Sequence, residues 1–581
     1  MKRHLLAVLA MAAAAGCADD GAAPTASDPS LSLLPCVFGQ GRQLRVGESI
    51  TLQGGDASTV CVGADAAGAE FTLVPFLADP NGDTRQTVSA VGGNLRPVTG
   101  PPTPALVPAP FGPARPVPDE RLHLRMMKGF RRDFAPRLHP AAGGARSLAP
   151  ARTAASAAPQ GPAPAVGDFI TVNIPQFYRA VDACVSSATQ RARVGAVTQK
   201  AILVNDPSNP PGGLTDAELQ AFGDQFDRLI YPTDLRYFGE PTDLDGNGGR
   251  VIIVFTREVN ALTPAGSGGY FGGFFWPGDL FPRVGNARLD ACPRSNVGEI
   301  FYVLAPDPQG VVNRNPRSKE LILQSAAGTI GHELQHLINA SRRIFVNNAD
   351  QLEDVWLDEG LSHSAEELLF YEDSGLAPKQ NIDLAKLGSS PRIATAADRF
   401  MIENFGRYLL YLEAPDSNSL LGPDELETRG AAWAFLRYAA DRKTGPDQPF
   451  FFSLVNTTSA GVDNVSRVIG ADALDWMQDW TLSVYTDDAV SGLDPRFTQP
   501  SWNYRSIMPD VAEYYEGTPA STYPLRVHVL TSGTPVEYDL RGGGATYLRF
   551  GVAPSGKVGL RLASGDAPAP ASLRFSLVRT R

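Results

Sequence analysis

Apolar and polar positions divide the chain into strand-like and helix-like stretches. Short runs come first: Arg42-Gln-Leu-Arg-Val, Ser49-Ile-Thr-Leu and Glu70-Phe-Thr-Leu-Val-Pro-Phe, separated by Gly-rich turns. They predict a small β-sandwich over 31–95. Residues 96–167 are dominated by Pro and Ala, which offer few backbone donors and little area to bury, and read as a linker. A basic island, Asp119–Leu138, interrupts it; a solvated linker helix is the favoured reading, a pro-segment or docking helix the alternative. From 168 the chain turns globular. Asp168-Phe-Ile-Thr-Val-Asn-Ile and Gln199-Lys-Ala-Ile-Leu-Val read as strands, and Thr215–Ile230 as an amphipathic helix opened by a Thr215/Glu218 capping box. Arg250-Val-Ile-Ile-Val-Phe and Glu299-Ile-Phe-Tyr-Val-Leu are continuous apolar runs, as in strands covered on both faces. After Asn315 the pattern is mostly helical to about Asp488. Runs such as Leu525-Arg-Val-His-Val-Leu and Leu573-Arg-Phe-Ser-Leu-Val predict a second β-sandwich over 509–581. The expected fold class is multidomain α+β: a central domain over 168–508, with a mixed sheet and a helical half, flanked by small β-sandwich modules.

Composition narrows the partners. Of 581 residues, 43% are hydrophobic and 19% charged, enough for a large core. The net charge of −11 argues against a nucleic-acid binder, which needs clustered Lys and Arg. The first residues form a targeting segment. Lys2 and Arg3 precede an apolar run, Leu5 to Ala15, that is too short to span a bilayer, and Ala14-Ala15-Gly16-Cys17 closes it. Small residues before a Cys resemble the bacterial lipobox. Residues 1–17 are therefore expected to be a lipoprotein signal, Cys17 the lipid anchor and the sole membrane contact, and 18–30 a flexible tether. The expected location is outside the cytoplasm: anchored in the outer membrane, on its periplasmic or cell-surface face, or secreted. Four of the five cysteines then remain, an even number in an exported chain. Cys36–Cys61 and Cys184–Cys292 is the favoured pairing of three, since it keeps each bridge inside one expected domain.

The chemistry concentrates in the helical half. Ser318 can cap a helix through Leu321, Ile322, Leu323, Ile330, Leu334, Leu337 and Ile338, and within it lies His332-Glu333-Leu334-Gln335-His336. Histidines four apart project from one side of a helix, where both imidazoles can reach one metal ion. Glu333 sits beside them, slightly around the helix. Only seven His occur in the chain, so two at this spacing on an apolar helix carry weight. Glu359, in Trp356-Leu-Asp-Glu-Gly-Leu-Ser, lies 23 residues after His336, and a second helix crossing the first would aim it at the metal. His332, His336 and Glu359 are the candidate zinc ligands and Glu333 the candidate general base and acid. Zinc lowers the pKa of a bound water to about 7, which is what hydrolysis at neutral pH requires.

This pattern resembles the gluzincin zinc peptidases, and within them the hyicolysin family, on Trp356, Leu357, Glu359, Gly360, Leu361, Ser362, Ala365 and Glu366. Asp243-Leu-Asp-Gly-Asn-Gly, Gly269-Tyr-Phe-Gly-Gly and Asn296-Val-Gly-Glu-Ile-Phe-Tyr also look like that family. The resemblance covers roughly residues 190–490, with gaps, and implies a one-zinc endopeptidase acting on proteins or peptides. Asp358 departs from it, standing where Asn is common. Glu427 stands where aminopeptidase relatives carry a Tyr three residues before a Gly. The oxyanion partner stays open among Tyr408, Tyr411, Tyr438 and Arg429. His363, one turn after Glu359, is read as orienting a ligand or packing rather than ligating.

Two weaker signals complete the picture. Asp243-Leu-Asp-Gly-Asn-Gly looks like part of a calcium loop, but Val254 occupies the position of its last carboxylate, so an Asx-rich turn is favoured over a calcium site. Tyr270–Trp276 is aromatic and Gly-rich, and reads equally as a cleft edge or as core packing. The rivals to an endopeptidase are an aminopeptidase-type zinc hydrolase and a non-catalytic surface-binding lipoprotein; the intact Glu333 argues against the latter.

Overall fold

The computed structural model describes residue 36 and residues 41–54, 59–98, 134–140, 164–177, 182–267, 269–517, 522–565 and 567–581. The signal segment, Cys17 and the tether lie outside them, as does most of 96–167. The central runs form one six-stranded mixed sheet: β1 (Phe169–Pro175), β2 (Ser187–Val197), β3 (Ala201–Asn205), β4 (Val251–Thr256), β5 (Gly273–Phe275) and β6 (Ile300–Leu304), in the order β5-β6-β4-β3-β2-β1. The continuous apolar runs became β3, β4 and β6. These are parallel to one another and almost wholly buried, as strands with both faces covered must be. β5 lies antiparallel along the outer edge of β6.

The helix after β3 begins as its sequence dictates. Thr215 caps Asp216–Gln225, with the Thr215/Glu218 capping box formed in both directions. It does not stop at Ile230. A wide π turn over Phe226–Ile230 leads into a further helix, Tyr231–Phe238. Pro232 enters at the start of that helix, where its missing N–H costs little.

Of the helices that build the half that follows, the ones that bear on the site are α1 (Lys319–Ser341), α2 (Val355–Ser374), α3 (Ile402–Glu413) and α4 (Leu426–Arg442). Ser318 caps α1 by accepting from the N–H of Leu321, and Ile322, Ile330, Leu334, Leu337 and Ile338 are buried. α2 packs on α1 and on α4, which in turn packs on α3. Two glycines permit these approaches. A Cβ on Gly360 would meet Leu436 Cδ1 at 2.9 Å, and one on Gly430 would meet the backbone N of Tyr408 at 2.4 Å. The helical half also outlasts its expected boundary at 508, because helix Tyr504–Glu516 takes Pro509 into its interior.

The two flanking β regions are not separate modules. Strand 557–564 pairs with both 59–63 and 85–93, and strand 69–77 lies between 548–552 and 573–579. The expected sandwiches over 31–95 and 509–581 are thus one module of two interleaved sheets, around Phe71, Leu73, Val88, Leu540, Phe550, Leu560 and Phe575. Each stretch alone has too few strands to cover its apolar face, and a strand's alternation does not name its partner. The module rests on helix Ala473–Thr486. Tyr547 donates to the carbonyl of Thr481 (2.9 Å), Gln478 to Ser576 Oγ (3.1 Å), and Arg574 pairs with Asp475 (2.6 Å).

The end of the basic island is also not solvated. Phe134 packs on Phe281 and Trp276, with ring centres 5.2 and 5.8 Å apart, and Leu138 bridges to Leu289. Arg137 adds an ion pair to Asp182 (2.6 Å). The structure pairs Cys36 with Cys61 and Cys184 with Cys292. Among the described residues, no helix is long and apolar enough to cross a membrane.

Candidate metal centre

α1 and α2 cross so that His332, His336 and Glu359 meet at one point. His332 Nε2 lies 3.1 Å from His336 Nε2 and 3.6 Å from Glu359 Oε2, and His336 Nε2 lies 3.8 Å from the same oxygen. Ligands about 2.0–2.1 Å from a tetrahedral metal sit about 3.3 Å from one another. The triangle therefore has the size of one metal's coordination shell, and all three residues are buried.

Both rings are turned by carboxylates behind them. His332 Nδ1 stands 2.8 Å from Glu366 Oε1, and His336 Nδ1 stands 3.1 Å from Asp358 Oδ2. With each Nδ1–H donated to a carboxylate, both Nε2 lone pairs would be free to ligate one metal ion. Burial opposes charge on His332, but Glu359 and Glu366 outweigh it and push its pKa up to about 10.

Glu333 follows His332 on α1 and lies close enough to His332, His336 and Glu359 to feel their charge. Its Oε2 accepts from the backbone N–H of Phe275 (2.8 Å), so the end of β5 holds the carboxylate in place. Burial raises its pKa, against the pull of His332 and His336. The aromatic, Gly-rich Tyr270–Trp276 stretch thus contributes an edge strand that touches the site.

The other candidates separate. His363 shares Glu366 Oε1 with His332 (3.1 Å) and lies with its ring centre 4.6 Å from that of His332; it is not one of the His332, His336 and Glu359 set but forms, with His332 and Glu366, a second group of closely placed ligand atoms. Tyr408 packs on Tyr504 and Tyr411 on Trp480, with both hydroxyls buried among aromatic rings. Tyr438 donates to the carbonyl of Arg496 (2.7 Å) and accepts from Arg442 (2.8 Å). Arg429 is the candidate set against a ligand: its Nη1 stands 2.8 Å from Glu359 Oε2. Asp424 grips the same guanidinium, at 2.8 Å from Nε and 3.2 Å from Nη2.

Three contributors escaped the sequence reading. Glu366 was legible as part of the motif but not as the partner of His332. Asp358, noted there as a departure, also accepts from Asn339 Nδ2 (2.7 Å), so it is braced to hold His336. Asp424 carries no sequence signal, since its role depends on how α4 folds back on α2.

The acidic loop gains a partner from a distance. Asp243, Asp245 and Glu299 bring carboxylate oxygens within 4.8 Å of one another, Glu299 coming from just before β6 rather than from position 254. The loop's bonds are those of the expected turn: Asn247 N–H donates to Asp243 Oδ1 and Asp245 Oδ1, both at 3.1 Å, and Glu299 Oε1 accepts from Thr242 Oγ1 (2.9 Å).

No family model matches the chain. Over 155 residues it is 31% identical to the neutral metalloprotease ShpI of Staphylococcus hyicus. The match takes in 27% of this chain and 32% of that protein, so the chain spans about a third of the length of this curated relative. That relative is a metalloprotease by name, and the matched chain here carries a donor set able to hold a metal.

Proposed function

We propose that this chain is a zinc-dependent endopeptidase of hyicolysin type, with a gluzincin-like catalytic domain carried beside a β-sandwich module. One observation carries the reading: two imidazoles and a carboxylate converge on one point, with a further carboxylate, Glu333, on the same helix. The donor set suits zinc, which favours nitrogen and oxygen ligands in a tetrahedral shell and keeps one position open for catalysis. When bound there, the ion would polarise the scissile carbonyl and make water nucleophilic at neutral pH.

The chain's own groups do the rest. Glu366 and Asp358 hold His332 and His336 in the tautomer that ligates. Glu333, fixed by the Phe275 N–H, takes the proton of the attacking water and passes it to the departing amine nitrogen. Burial raises the proton affinity of this carboxylate, which suits a group that must hold a proton and then release it. The substrate is a protein or peptide. Export fits the same picture: the basic start, short apolar run and Cys17 support a lipid-anchored or secreted enzyme.

The test uses the exported form of the chain. Zinc content is measured by atomic emission, and hydrolysis is followed on casein and on internally quenched peptides blocked at the N-terminus. One zinc per chain and cleavage of blocked peptides are expected, with Glu333→Gln retaining zinc but not activity. Cleavage of free N-termini alone would replace the reading with an aminopeptidase. Zinc-free protein, or an active Glu333→Gln variant, would end it.

A further inference from the structure

Arg429 touches a ligand at one end and, through Asp424, a loop at the other. That loop joins α3 to α4, and it is gripped by the β module. Ser419 Oγ donates to the carbonyl of Gly542, in the turn after strand 536–541, and accepts from the N–H of Leu421 (3.0 Å). Leu421 is buried, and its carbonyl lies against Gly82, in the turn between strands 69–77 and 85–93. A Cβ on Gly82 would fall 1.6 Å from that oxygen, so backbone meets backbone with no room for a side chain. Earlier in the loop, Asp416 pairs with His528 of the module (3.2 Å). Two residues after Gly422 comes Asp424, and its carboxylate accepts two bonds from one edge of the Arg429 guanidinium.

We propose that the β module is part of the metal centre: by clamping the 414–425 loop it fixes Asp424, which fixes Arg429, which holds Glu359 in its ligating position. This rests on the reading of His332, His336 and Glu359 as a metal site. The physical need is plain. Glu359 is a fully buried carboxylate, and the rotamer that reaches the two Nε2 atoms must be held before the metal arrives. An arginine gripped by a carboxylate in fork geometry is a rigid holder, because the planar guanidinium cannot swing without breaking two bonds. Arg429 and Asp424 are positioning residues. The module is their anchor, which gives it a task beyond spacing the enzyme from a membrane.

The proposal makes the metal affinity of the site depend on a glycine in another part of the fold. The experiment measures zinc affinity of the full-length exported protein by competition with a fluorescent zinc chelator. The variants are Arg429→Ala, Arg429→Lys, Asp424→Asn, Gly82→Ala and the double variant Gly82→Ala/Arg429→Ala. Ser419→Ala serves as a milder loop variant, and circular dichroism of the apo-proteins checks folding. Arg429→Ala should weaken zinc binding by about 10- to 100-fold, the usual cost of removing a group that orients a ligand. Arg429→Lys should recover part of this, and Asp424→Asn should fall between the two. Gly82→Ala should weaken binding by about two- to thirtyfold in the wild-type background and have no effect on affinity in the Arg429→Ala background. If Gly82→Ala fails to fold, Ser419→Ala and its double with Arg429→Ala carry the same comparison. Unchanged zinc affinity in the folded loop variants would overturn the proposal. So would an equal loss with and without Arg429, since the coupling would then bypass the arginine. Failure of the metal-site reading looks different: the wild-type protein itself would bind no zinc.

Discussion

Between the two sheets of the β module, Phe71, Leu73, Val88, Phe550, Leu560 and Phe575 pack side chain to side chain. Its buried arginines stand at the margin, where Arg549 pairs with Glu70 and Arg579 with Asp65. Among α1 to α4 the interior also holds His332, Glu333, His336, Glu359, Glu366, Glu367, Arg429 and Arg437. Removing charges from water is costly unless each finds a partner, and replacing such pairs with apolar groups often stabilises a protein. The helical half therefore carries groups that folding alone would not select, held in pairs and triads at the candidate metal centre and around Arg437. The module carries an ordinary apolar core. The contrast teaches where this chain spends stability on chemistry, and it can be broken or sharpened by substitution.

The largest effect is expected at Glu333. Glu333→Gln keeps size and polarity but cannot accept a proton, and should lower kcat/KM on a blocked peptide by about 10²- to 10⁴-fold. Zinc content should stay at the wild-type level. A drop in zinc occupancy instead would mean that Glu333 supports the ligands rather than the chemistry.

In the module the effect should fall on stability. Phe71 comes from the N-terminal stretch and Phe550 from the C-terminal one, and their rings stack with centres 5.6 Å apart. Replacing either by Ala should cost about 3–5 kcal/mol. The double variant should cost less than the sum, because the partners share one contact. Urea denaturation decides this; strict additivity would contradict a single shared core.

A pH-dependent effect, vanishing near pH 4, tests a buried carboxylate outside the ligand set. Asp279 is fully buried, and burial pushes its pKa up to about 7, although Asn296 and Tyr302 donate hydrogen bonds to it. The folded state thus holds a proton that the unfolded state releases near pH 4. This contribution is fully present below pH 4 and is lost as pH rises toward 7, by at most about 1.4 kcal/mol per pH unit. Asp279→Asn keeps acceptor and donor edges, and Tyr302 can turn its O–H to the carbonyl of Asn173 (3.1 Å). The variant should match wild type near pH 4 and gain on it steadily to pH 7, read as ΔTm across that range. A difference independent of pH would show that Asp279 is ionised throughout.

Legibility followed the range of each interaction. The helix over 319–341 was readable because its cap, apolar face and His spacing are all local. Four strands of the central sheet, β1, β3, β4 and β6, were readable from their apolar positions, while β2 and β5 were not. Only the end of the basic island lies among the described residues, and it docks because Phe134 meets Trp276 and Phe281 and Leu138 pairs with Leu289, contacts that no local pattern announces. The second sandwich was misread for a related reason: strand 557–564 reads as a strand anywhere, but its partners at 59–63 and 85–93 lie hundreds of residues away.

The amino-acid sequence by itself determined that His332 and His336 share a helix face, that Glu333 stands beside them, and that a second helix carries Glu359 within a recurring motif. Helical period and capping are properties of neighbouring residues, so they need no tertiary context. Only the tertiary structure decided the distances of 3.1–3.8 Å among the ligand atoms, the choice of Glu366 and Asp358 as their supports, and the placing of Arg429 against Glu359. These depend on helix crossings and on a loop held by strands from both ends of the chain, and such contacts leave no period in the sequence to read.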